Sequence, residues 1–135
     1  MKKLEIYCDG SADLDKNLGC GIIIVSENKI IKKLSYKLPF KGDSFIAEYI
    51  AVIYAVYMVD FYVENLYVYT DNTPIITSYM GANPPSEYAK KLSKLLKQLI
   101  DNLNCKHFRL QYVKSHADNP FHNEADKLAR KSIGL

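Results

Sequence analysis

The sequence predicts an α/β fold, a mixed β-sheet carrying helices on its faces. Three observations carry that expectation. Two β-rich stretches, "CGIIIVSE" and "KIIKKLSYKL", follow each other near the N-terminus with only a short break, as in an antiparallel hairpin. Farther along, short β-rich runs alternate with helical patterns. One of those helices is apolar on nearly every side, which marks a helix buried against a sheet. At 135 residues the chain is expected to be one domain, residues 1–135, with a single core.

Taken in order, Lys3–Cys8 alternates, with Leu4, Ile6 and Cys8 on one face, and Asp9-Gly10 is expected to stop it. Residues 11–18 read as a polar loop. The hairpin strands are expected to join at Glu27-Asn28-Lys29, and Pro39 to Asp43 to connect onward. A helix runs from Ser44 to about Asp60, with Asp43 or Ser44 as N-cap. "NLYVYT" is a strand ended by Asp71-Asn72. Pro74 suits the first turn of a short helix over 73–80. After the break at Gly81-Ala82-Asn83-Pro84-Pro85, Ser86 opens a helix with Leu92, Leu95, Leu96, Leu99 and Leu103 on one stripe. Lys90, Lys94 and Lys97 fall opposite. "KHFRLQYV" alternates as a strand, and "NPFHNEADKLARKSI" is a last helix, started by Asp118 or Asn119 before Pro120.

Composition excludes several classes. The apolar share is 48% and the charged share 24%, those of an ordinary globular protein. Three cysteines, with no CxxC pair, argue against a disulfide framework or a zinc site. No signal peptide fits the N-terminus. The most apolar stretch, "FIAEYIAVIYAVYMV", is too short to span a bilayer. A cytoplasmic location is expected, with a nuclear or virus-associated one as the alternative. The net charge of +3 permits nucleic-acid binding without demanding it.

Four acids stand out. Asp9 before Gly10, alone, reads as a turn residue. Asp71 before Asn72 reads equally as a helix cap or a functional acid. Asp126, in the first half of the last helix, suits the helix dipole. Glu48 is harder to dismiss, as the only charge between Asp43 and Asp60 on an otherwise apolar helix. An ionised carboxylate there is costly unless paired or metal-bound. Together the four carry a sharper reading. Asp9 and Asp71 end strands able to lie parallel and adjacent, where open α/β sheets bind ligands. Several convergent carboxylates suit hard divalent cations. Two such ions are the usual device for in-line phosphoryl displacement.

"YCDGSA", "AEYIA", "YTDN" and "VKSH…NEADKLA", in this order and at these separations, resemble the type 1 ribonuclease H family from Lys3 to Ile133. The resemblance implies a five-stranded mixed sheet of order 3-2-1-4-5 flanked by helices. It implies cleavage of the RNA strand of RNA–DNA hybrids with two Mg²⁺ ions (Mn²⁺ able to substitute), leaving 5′-phosphate and 3′-hydroxyl ends. Asp9, Glu48, Asp71 and Asp126 match the family's metal-binding acids, and His116 its loop histidine, a proton carrier or aid to product release. Gly10 and Ser11 would approach the RNA 2′-hydroxyls by their backbone. Asn17 would serve as the family's substrate asparagine in this loop. Ser44 and Thr73 stand where Asn or Gln often contacts the minor groove, and Phe45 replaces another frequent Asn.

The chain departs from the family in two further places. It has no Trp and too little sequence over 81–105 for the basic protrusion of longer members, so it reads as the short version. Lys90, Lys91, Lys94 and Lys97 are left as phosphate contacts or as a solvated face. The family's asparagine four residues before the last acid is replaced by His122, while Asn123 lies three before. Either could point at the scissile phosphate. The expected partner is an RNA–DNA hybrid, with duplex RNA as a further substrate, no membrane, and a monomeric chain. The competing functions are a junction resolvase-like nuclease of the same fold and a hybrid-binding module without catalysis.

Overall fold

A computed structural model of the chain describes residues 1–114 and 119–135. The elements are β1 (Lys3–Ala12), β2 (Asn17–Ser26), β3 (Lys29–Lys41), α1 (Ser44–Tyr57), β4 (Val63–Thr70), α2 (Thr73–Tyr79), α3 (Glu87–Asp101), β5 (Cys105–Tyr112) and α4 (Pro120–Lys131). The strands form one five-stranded sheet in the order β3-β2-β1-β4-β5. β1, β2 and β3 pair antiparallel, while β4 pairs parallel to both β1 and β5. The expected class and strand order are those found.

Several expected boundaries move. Asp9-Gly10 does not stop β1. The antiparallel ladder carries on through Gly10 opposite Cys20 and Ala12 opposite Leu18. Pairing with a neighbour outweighs the local turn preference of Asp-Gly. The real turn lies at 13–16, where the Asp13 carboxylate accepts the backbone N–H of Asn17 at 2.8 Å. The β2–β3 loop has two residues, Glu27 and Asn28, both at positive φ (52° and 61°), and Lys29 already pairs with Ser26. That conformation matches the twist of a tight hairpin. Pro39 lies inside β3 rather than in a connector. β3 is an edge strand, and the register shifts between Asn17 and Gly19 opposite it, so the missing N–H breaks no ladder bond.

Helices cover both faces. α1 starts at Asp43, whose side chain accepts the Ile46 N–H. It ends earlier than expected, at Tyr57, in a tighter turn closed by the Val59 N–H on the Val56 carbonyl at 3.1 Å. Its Ala51, Val52, Ala55 and Val56 pack with Leu4, Ile6, Cys8 and Ile22, joined by Ala89, Leu92 and Leu96 of α3. Each large apolar side chain so buried contributes roughly 1.5–3 kcal/mol. The expected leucine stripe on α3 centres on Leu92 and Leu96. Leu95 is exposed, and Leu99 and Leu103 are half-buried. On the opposite face α4 buries Ala125 against Tyr7, Ile23 and Val25.

Two glycines set how closely helices approach the sheet. A Cβ at Gly10 would collide with the α1 backbone at Ala47 and Glu48. One at Gly21 would collide with the α4 backbone at Ala125 and Ala129. The first brings α1 to the strand that carries Asp9, and the second brings α4 to β2 at the residue paired with Asp9. Among the described residues, no helix is long and apolar enough to cross a membrane.

Candidate active site

The parallel register of β1 and β4 aligns Tyr7 with Tyr69, the last pair of that ladder. Their rings stack at 4.6 Å. Two residues farther along each chain, on the same pleat face, come Asp9 and Asp71. Asp9 is 4% exposed, and Asp71 directly follows Thr70 at the end of β4. Asp9 therefore lies beside the carboxyl end of β4, although its own strand continues past it.

Glu48 enters from the second turn of α1, whose backbone lies against Gly10. Its carboxylate accepts a hydrogen bond from the Asn72 side-chain amide at 2.6 Å. Asn72 also caps α2, its Oδ1 accepting the Ile75 N–H at 3.3 Å. The tie between Asn72 and Glu48 escaped the sequence analysis. The sequence offered Asp71 as the cap here, whereas the cap is Asn72, and nothing linked the Asn72 amide to a residue on another helix.

α4 supplies the remaining groups. Asn119 caps it, its Oδ1 accepting the backbone N–H of both Phe121 and His122 at 3.0 Å. That fixes His122 in the first turn and Asp126 one turn later on the same face. His122 is 2% exposed, with its Nε2 3.3 Å from Asp71 Oδ2. Asn123 is exposed. Of the two neighbours, His122 is the one turned toward the acids. Asp126 is half-buried and forms an ion pair with Arg130, its Oδ1 3.4 Å from Nε.

The electrostatics show how tightly the acids converge. Burial pushes the Asp9 carboxyl up to about 9, aided by a shared hydrogen bond with Asp126 and by the charges of Asp71, Glu48 and Asp126. Burial also pushes Glu48 up to about 8, with a hydrogen bond and charge from Asp71 adding and the Asn72 amide opposing. Burial and the mutual repulsion of neighbouring carboxylates both favour the protonated forms. Asp9, Asp71 and His122 each offer a donor atom, all within 4.8 Å of one another. Oxygen-rich donors at that spacing fit a hard divalent ion.

The other residues singled out in the sequence are more scattered. Gly10 and Ser11 are half-buried in β1, next to Asp9. Asn17 is half-buried at the start of β2, its amide donating to the Asp13 carboxylate at 3.0 Å, so it closes the β1–β2 turn. Ser44 and Thr73 are exposed at the first positions of α1 and α2. His107 is exposed on the edge strand β5. His116 lies outside the described residues.

The model of the RNase H family matches residues 1–133. The chain belongs to the RNase H family. It is a ribonuclease H, of a nuclease family directed at RNA–DNA hybrids and dependent on metal ions. Solved structures agree on the fold. RNase H1 from the halophilic archaeon Halobacterium salinarum superposes with a TM-score of 0.82 at 16% identity, over 97% of each chain. The N-terminal RNase H domain of a Mycobacterium tuberculosis protein gives a TM-score of 0.80 at 16% identity, over 98% of this chain and 94% of that one. LC11-RNase H1, solved in complex with an RNA/DNA hybrid, gives 0.77 at 16% identity, over 97% of this chain and 99% of that one. A search of curated proteins gave no match.

Proposed function

We propose that this ribonuclease H hydrolyses the RNA strand of RNA–DNA hybrids at the site built from Asp9, Glu48, Asp71 and Asp126, leaving 5′-phosphate and 3′-hydroxyl ends. The observation that carries this is the convergence of the four carboxylates beside the carboxyl end of β4, in a chain of this family. The acids would hold two Mg²⁺ ions, or Mn²⁺ in their place, which would activate water and stabilise the departing 3′-oxygen.

The chain's own groups prepare that chemistry. Asp9, the most enclosed of the four, is the shared centre, facing Asp71, Glu48 and Asp126. Asn72 orients Glu48 through its amide, and the α2 cap holds Asn72 in turn. Arg130 pairs with Asp126 and balances part of its charge. His116, which matches the family's loop histidine in the sequence, is the proposed proton carrier. Backbone at Gly10 and Ser11 is proposed to meet the 2′-hydroxyls that distinguish RNA from DNA. Ser44 and Thr73, exposed at two helix starts, are proposed to touch the minor groove, and Asn17 to support the turn beside it. The solved complex of LC11-RNase H1 with a hybrid supports the substrate class. The protein is proposed to act as a monomer.

The test presents the purified chain with labelled hybrid, duplex RNA, duplex DNA and a four-way junction, each with Mg²⁺ or with a chelator. Metal-dependent cleavage of the RNA strand in the hybrid, with ligatable 5′-phosphate products, is expected. Cutting of the junction alone would favour a resolvase. Tight binding of hybrid without turnover would favour a binding module.

A further inference from the structure

We propose that His122 is itself a metal ligand. Its Nε2, one Asp9 oxygen and one Asp71 oxygen would form a mixed nitrogen–oxygen position for a divalent cation. The inference rests on the functional reading above for Asp9 and Asp71, and adds a nitrogen donor to them.

Four observations support it. The three donor atoms already lie within 4.8 Å of one another. A cation about 2.1 Å from each donor holds them up to about 4.2 Å apart, so only a small contraction is needed. The imidazole is 2% exposed and pinned in the first turn of α4 by the Asn119 cap, so it is preorganised. Its Nδ1 has no hydrogen-bond partner among the described residues. A proton on Nδ1 leaves the Nε2 lone pair facing the carboxylates. Finally, the Arg130 guanidinium is paired with Asp126 at 3.4 Å.

The chemical consequence is selectivity. Mg²⁺ favours oxygen donors, whereas an imidazole raises affinity for first-row transition ions. The plainer alternative is that His122 only donates a hydrogen bond to Asp71 and positions it.

The two separate by spectroscopy on the metal-bound protein. Mn²⁺ is titrated into the full chain and its binding followed by electron paramagnetic resonance. Spin-echo modulation then reports directly bound nitrogen. Nitrogen modulation is expected in the parent and in His107→Asn and His116→Asn, and its loss in His122→Asn and His122→Gln. Mn²⁺ affinity should fall about tenfold or more in both His122 variants, with Mg²⁺ affinity changed much less. His122→Gln can keep a hydrogen bond to Asp71, so retained affinity in that variant, or no His122-dependent nitrogen signal, would overturn the proposal. So would the absence of Mn²⁺ binding at millimolar concentration. Circular dichroism melting confirms that each variant is folded. Hybrid cleavage without nitrogen coupling would sink this inference alone. Nitrogen coupling without hybrid cleavage would sink the functional reading alone.

Discussion

At the scale of single residues, Asp9 and Glu48 show what convergence costs the metal-free protein. Both carboxyls titrate higher in the folded chain, at about 9 and about 8, than the values near 4 of an unfolded chain. The folded state therefore binds more protons between about pH 4 and pH 9, and stability falls as pH rises through that window. The melting temperature of the metal-free protein should drop from pH 5.5 to pH 8.5, roughly within those bounds. Asp9→Asn should flatten that slope and raise the melting temperature at the alkaline end. Mg²⁺ should stabilise the parent more at the alkaline end than at the acid end, and a chelator should reverse the gain. A slope of opposite sign would contradict the buried, mutually repelling acids. Asn72→Ala removes both a helix cap and the amide that holds Glu48. It should cost about 1 kcal/mol in denaturant unfolding and slow hybrid cleavage as well. Glu48 stood out in the sequence as a lone charge on an apolar helix, whereas Asp9, Asp71 and Asp126 stood out only as a set with it. Asn72 did not stand out, because its partner is on another element.

Among the elements, β1 is the informative case. Its sequence suggested a stop at Asp9-Gly10, yet the strand runs to Ala12 because β2 supplies a partner for every residue there. Long-range pairing is invisible to a local turn rule. The two helix approaches tell the same story. Gly10 and Gly21 were legible as glycines, but their purpose, admitting the α1 and α4 backbones, depends on tertiary packing. Gly21→Ala should push α4 off the sheet and cost about 1–3 kcal/mol in chemical denaturation. Because α4 carries both His122 and Asp126, hybrid cleavage should fall with it. An unchanged melting curve would mean that α4 does not lie against Gly21. The helix starts were easier to read: Asp43, Ser86 and Asn119 were each candidates, and each accepts a first-turn N–H.

For the whole molecule, the mixed sheet and its strand order were expected, the order only through the family resemblance, since hydrophobic alternation does not say which strands are neighbours. The topology does functional work. A parallel β1–β4 pair flanked by helices on both faces collects side chains from four separate elements at one end of the sheet. That topology brings Asp9 and Asp126, far apart in the chain, close enough for Asp126 to raise the cost of ionising Asp9. The most direct measurement is single-turnover cleavage of an end-labelled RNA–DNA hybrid by the parent and by Asp9→Asn, in Mg²⁺, with folding checked by circular dichroism. The parent should cut the RNA strand, and the folded variant should be slower by about a hundredfold or more. Equal rates for the two, or an intact hybrid with the parent in both Mg²⁺ and Mn²⁺, would contradict an Asp9-centred ribonuclease H site.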